Sequence, residues 1–120
     1  MVSRYMASKT DEYYVKKICD DLAFVIRYTK DINIHDLGSN ELLLDSMLFR
    51  LIQVSENAGK MTDSFKEINN NVPWTAISGL RNRIVHDYGH VDLGIVFDTI
   101  KNDIPDLYVM FQENISYPQN

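Results

Sequence analysis

Cysteine is almost missing from this chain. Cys19 stands alone among 120 residues, so no internal disulfide can form, and a reducing compartment is expected. Its mid-helix setting among apolar neighbours fits a small packed hydrophobe. Long apolar runs are missing too: none approaches the roughly 18 residues of a membrane span. The stretch Met1 to Lys9 has no apolar core of a signal peptide, and the expectation is a cytoplasmic protein that meets no membrane. Positive charge is in short supply, with 12 Lys and Arg against 17 Asp and Glu, a net charge of −5. That balance excludes a broad basic surface for coating nucleic acid, and no DNA partner is expected. It leaves room for a small local phosphate site built from a few arginines. No glycine-rich phosphate loop is present, and no segment alternates with period two over a useful length, so no sheet is expected.

What remains is helical periodicity in a chain long enough to bury a core. Ser8 with Asp11 three residues on resembles a capping box. Val15, Ile18, Leu22, Val25, Ile26 and Thr29 then follow helical spacing, predicting a first helix from about Ser8 to Asp31. Residues 33–40 read as a turn-rich connector. A second helix runs from about Glu41 to Ala58, with Leu44, Met47, Leu48, Leu51 and Ile52 inward and Gly59 as its stop. Residues 62–69 provide one or two turns. A third helix begins at Pro73, whose missing N–H is no loss at a first helical position, and ends at Gly89. A last helix, capped by Asp92, carries Val96, Phe97, Ile100, Leu107, Phe111 and Ile115, and Pro105 should kink or split it. With no internal repeat or linker, the expectation is one domain over residues 1–120. Its fold class is all-α, an up-and-down bundle of four to five helices. The apolar stripes of the first and last helices are wide enough to face a second subunit.

Chemistry concentrates in the third helix. Counted at 100° per residue, Trp74, Ile77, Leu80, Ile84 and Val85 form a core-facing stripe. Arg81 and Tyr88 fall in the middle of it. An arginine there cannot lose its charge, so it needs a carboxylate, a carbonyl, a ligand or a subunit boundary. Asn82, Arg83, His86 and Asp87 crowd the same helix end. The plain alternative is an Arg81 ion pair with a neighbouring helix and a His86 that only complements the helix C-terminus. His86 and His90 stand four apart, but Gly89 interrupts their common face and no cysteine pair or third suitably spaced histidine completes a set, so no metal site is expected. Acting together, Arg81 and His86 suit metal-independent phosphodiester cleavage in RNA. A histidine can move protons at neutral pH, and a guanidinium can hold non-bridging oxygens. One such histidine is thin for both acid and base roles, and a two-fold dimer would supply a second.

The string Arg81-Asn-Arg-Ile-Val-His86-Asp-Tyr88 resembles the Arg-x4-His-x-Tyr signature of the HEPN superfamily. Its flanks, Val-Pro-Trp before Thr75, Gly-Leu before Arg81, and Val91-Asp-Leu after Gly89, look like the HepT-like toxins that accompany minimal nucleotidyltransferase antitoxins. The resemblance implies an HEPN-like helical homodimer with a composite cleft, and endoribonuclease activity carried by Arg81 and His86 without a cofactor. It implies phosphate or RNA contacts from Asn82, with Arg83 beside it as a second candidate. It also implies that Tyr88 accepts AMP from the nucleotidyltransferase partner, which blocks RNA entry. The family also holds non-catalytic, nucleotide-binding partners of nucleotidyltransferases, which is the alternative function.

Overall fold

The computed structural model describes residues 10–86 and 89–118. Two helices of 19 residues form its frame. α1 spans Asp11–Thr29 and α3 spans Glu41–Gly59. Both begin on a polar cap: the Thr10 side chain accepts from the Tyr13 N–H, and the Asn40 side chain accepts from the Leu43 N–H, satisfying donors that a helix start leaves unpaired. The helix therefore starts at Asp11 rather than Ser8, whose supposed capping box lies outside the described residues. Asp11 instead accepts from the backbone and hydroxyl of Thr62 at 2.8 and 2.7 Å, tying the start of α1 to the loop after α3.

Ile18, Leu22 and Val25 of α1 are fully buried, as are Met47 and Leu51 of α3. The last helical stretch completes the core with Val96, Ile100, Ile104, Leu107 and Phe111. Pro105 splits that stretch as expected, though through an unusual device. α7 covers Leu93–Asp98, a π-helical turn covers Thr99–Asp103, and α8 covers Ile104–Glu113 with the proline in its first turn. Wider winding before the ring absorbs the hydrogen bond that proline cannot make. The Cys19 thiol, half-buried against α8, lies 3.8 Å from the Phe111 carbonyl. Burial, with Asp20 nearby, pushes its pKa up, which keeps it a thiol.

Two expectations need correction. The connector at 33–40 holds a short helix, α2, Ile34–Ser39, started by a reciprocal Asn33–Asp36 capping box. And the third helix is not continuous. α4, Asp63–Ile68, is the turn expected at 62–69, but the organising segment divides into α5, Trp74–Ser78, and α6, Leu80–Ile84. The break falls at Gly79, a poor helix residue, and the Ser55 hydroxyl of α3 donates to the Ser78 carbonyl at 3.1 Å. Buried Asn69 anchors the entry to α5. Its amide donates to the carbonyls of Phe65 and Ser116, its side-chain oxygen accepts from the Ser116 N–H, and its carbonyl accepts from the Trp74 indole at 3.0 Å. Trp74 in turn meets Phe65 and Phe111 edge-on.

Among the described residues the elements are helical apart from one isolated antiparallel pairing, Val85 with Val91. No described helix is long and apolar enough to cross a membrane.

Candidate functional site

α6 is a short helix carrying three polar side chains on a buried base. Leu80 and Ile84 are 4% and 0% exposed and fix it to the core. Arg81, Asn82 and Arg83 project outward and are exposed. This corrects the helical wheel, which put Arg81 within the apolar stripe: Ile77, Leu80 and Ile84 make up the buried side, and Arg81 lies beyond its edge. Arg81 is not sealed in by a carboxylate. Among the described residues its one polar side-chain contact is the Asn82 side-chain oxygen, at 3.5 Å. Two guanidiniums close to a helix C-terminus are favoured by the backbone dipoles, but that weak effect leaves their donors available.

α6 stops at Ile84, five residues before Gly89, and the chain becomes a small hairpin. The Asp92 N–H donates to the Ile84 carbonyl at 3.0 Å, and the His86 N–H donates to the His90 carbonyl. Between these rungs Val85 faces Val91. Gly89 does not cap a helix. Its φ of +77° turns the hairpin tip, a backbone geometry costly for any residue with a Cβ. Its N–H donates to the His86 carbonyl at 3.1 Å. His86 thus stands on a backbone-paired platform immediately after the arginine helix, and Tyr88, the expected AMP acceptor, lies outside the described residues with Asp87.

Sequence reasoning undervalues one residue. Asp92 is expected only as a helix cap, and it is one: Oδ1 accepts the Ile95 N–H at 3.1 Å and starts α7. Its other oxygen lies 3.6 Å from His86 Nε2, both side chains partly exposed. The signal is present as Val-His-Asp-Tyr-Gly-His-Val, two valines flanking a glycine-containing turn, a hairpin pattern that brings Asp92 back to His86.

The proposed site residues do not all share one face. Arg81 and His86 are linked in space through the end of α6, where the Val85 N–H donates to the Arg81 carbonyl at 3.0 Å. Among the described residues no hydrogen bond joins their side chains. Arg83, two residues on and thus about 200° around the helix, lines a different feature. This is a groove of about 300 Å³ between α5–α6 and α8, walled by Ile77, Leu80, Ile104 and Leu107 and edged by Asp103 and Asp106. Among the described residues no group of three His, Cys, Asp or Glu side chains converges for a metal ion.

A family model described as "Ribonuclease HepT-like" matches residues 18–113, which takes in α1 from Ile18 onward, all of α3, α6 and the hairpin. The protein named "Putative RNase TTE0752" from Caldanaerobacter subterraneus subsp. tengcongensis is 29% identical over 105 residues, covering 88% of this chain and 94% of its own length. "Putative RNase MJ1380" from Methanocaldococcus jannaschii is 27% identical over 100 residues, covering 83% and 92%. "Probable ribonuclease HepT" from Thermococcus cleftensis is 23% identical over 100 residues, covering 83% and 91%. No solved structure gives a significant match. An all-helical frame, an arginine helix followed by a histidine hairpin, and a family match across both lead to one conclusion: the chain belongs to the HepT-like ribonuclease family of the HEPN superfamily.

Proposed function

We propose that Arg81 and His86 are the catalytic residues of a metal-independent endoribonuclease, and that the working enzyme is a homodimer. His86 takes the 2′-hydroxyl proton or protonates the leaving oxygen, and Arg81 holds the non-bridging oxygens and the charge that builds on them. The observation that carries this reading is the state of Arg81: an exposed guanidinium, unpaired with any described carboxylate, one helical turn before a histidine held by backbone pairing. The structural alternative required Arg81 to be buried in an ion pair. Asn82, 3.5 Å from a guanidinium nitrogen, orients that cation. Arg83, on the other side of α6, meets RNA only beyond the scissile phosphate.

One His86 per chain serves one proton transfer, and a second copy supplies the other. Tyr28, Leu42, Phe49 and Val109 stay 48–79% exposed, apolar surface that supports such an assembly. In this reading the protein is the toxin of a toxin–antitoxin pair. A nucleotidyltransferase partner moves AMP from ATP to the Tyr88 oxygen, pyrophosphate leaves, and the added bulk and charge close the cleft to RNA. What supports this pairing is the resemblance of the motif and its flanks to the HepT-like toxins.

RNA cleavage with a chelator present tests the site. Removing either group should lower kcat about 10²- to 10⁴-fold, the usual scale for a general acid–base or a charge-stabilising donor. Arg81→Ala and His86→Ala should both do so while melting like the wild type, because both side chains are exposed. Equal cleavage by all three proteins would overturn the assignment. A protein that binds ATP but cuts nothing would instead match the non-catalytic partner reading. Mass spectrometry after incubation with the nucleotidyltransferase and ATP reads the AMP adduct on Tyr88.

A further inference from the structure

We propose that Asp92 is a positioning residue for His86, holding the imidazole through Nε2 so that Nδ1 is the nitrogen presented to RNA. The proposal rests on the catalytic reading of His86 and adds the group that orients it. Three observations carry it. Asp92 divides its carboxylate, one oxygen accepting the Ile95 N–H at 3.1 Å and the other 3.6 Å from His86 Nε2. The approach is enforced by the main chain, because His86 pairs with His90 and Ile84 pairs with Asp92, which makes Asp92 the diagonal neighbour of His86 across the hairpin. And the carboxylate is itself fixed by the helix it starts, so it cannot swing away without leaving the first turn of α7 uncapped.

A contact this exposed, at 52% and 38%, adds little to stability. Its consequence is orientation. A carboxylate only accepts, so it favours the tautomer with hydrogen on Nε2 and leaves the Nδ1 lone pair free to take a proton. The ring then enters the reaction already turned toward the phosphate, and small errors in such placement cost about 10²-fold in rate.

Two substitutions separate orientation from capping. Asp92→Asn and Asp92→Ser both keep an oxygen that caps a helix well, and both remove the carboxylate that faces the ring. Both variants should melt like the wild type, with kcat down about 10- to 100-fold and KM little changed. Long-range proton–nitrogen NMR on the ring of His86 should show hydrogen on Nε2 in the wild type and a shift toward Nδ1 in Asp92→Asn. Wild-type kcat together with an unchanged ring tautomer in both variants would overturn the proposal. The NMR arm does not depend on turnover. If His86→Ala cleaves RNA as fast as the wild type, the catalytic reading fails while the ring tautomer still decides whether Asp92 orients His86. If His86→Ala is inactive while Asp92→Asn keeps the wild-type kcat and the wild-type ring tautomer, the orientation proposal fails by itself.

Discussion

The α1–α3 pair and the α6–hairpin segment are held together in opposite ways. Between α1 and α3, Ile18, Leu22, Met47, Leu51 and Val54 are at most 1% exposed, and the helices hold through close packing of apolar side chains. Among the described residues of 81–92 most side chains are exposed, and order comes from main-chain rungs, a cap and one glycine turn. The first region stores stability that no single polar contact controls. The second displays charged groups that no core could tolerate, and borrows its footing from Leu80 and Ile84. Chemistry and stability should therefore separate under mutation.

The largest separation is expected at Arg81 and His86, where alanine removes activity and leaves folding intact. Its converse is Leu51→Ala in the centre of α3. Truncating a fully buried leucine costs about 2–5 kcal/mol through lost burial and the cavity left behind. Chemical denaturation should show that loss, while the protein that remains folded keeps its kcat. A variant that stays stable but loses turnover would mean that the frame and the site are not separable.

Gly89→Ala probes the boundary between the two regions. An added Cβ meets nothing within 4 Å, so the expected cost comes from φ alone, on the order of 1–2 kcal/mol. Because the strain sits at the hairpin tip and not in the core, it should emerge as a loosened His86. We expect kcat to fall about 10-fold with a smaller change in melting temperature than Leu51→Ala causes. Equal activity would show that the turn is dispensable to the site.

The two regions also differ in how far the sequence discloses them. α1 and α3 are legible because five turns of apolar spacing outweigh any local ambiguity, and their observed ends fall within three residues of those expected. Asp92 as a cap and Pro105 as a splitting point are legible from single residues with one strong local effect, though nothing in the sequence announces a π turn as the form of the split. The organising helix is misjudged because periodicity assumes a continuous axis. The helix is interrupted at Gly79, and the hydroxyl of Ser55, 23 residues away from Ser78 in sequence, sits at the break. Tertiary partners of this kind leave no periodic trace. The exposure of Arg81, Asn82 and His86 is nonetheless legible, since residue types that a core rejects stay at the surface whatever the exact helix boundary. α2 escapes notice because its Asn33–Asp36 capping box looks like turn chemistry.

Asp21 is the exception that tests the rule for the frame, being a carboxylate 3% exposed inside α1. Arg50 of α3 donates to Oδ1 at 2.9 Å and lies 3.8 Å over the Phe24 ring, while Oδ2 is buried with no partner among the described residues. Burial raises the Asp21 pKa above 3.8, and the Arg50 hydrogen bond and charge recover only part of that shift. Between 3.8 and the raised value, the folded state holds a proton that the unfolded chain has released. Stability from this group is therefore present at low pH and lost as pH rises through the folded pKa. Asp21→Asn cannot titrate, so the difference in stability between wild type and variant should shift toward the wild type on acidification through that window and stay flat above it. Denaturation at several pH values reads that difference directly. A shift toward the variant would mean that Arg50 outweighs burial and holds Asp21 as a true ion pair. The effect should be smaller than those at Leu51 and Gly89, because Asn keeps one acceptor for Arg50 and fills the same space.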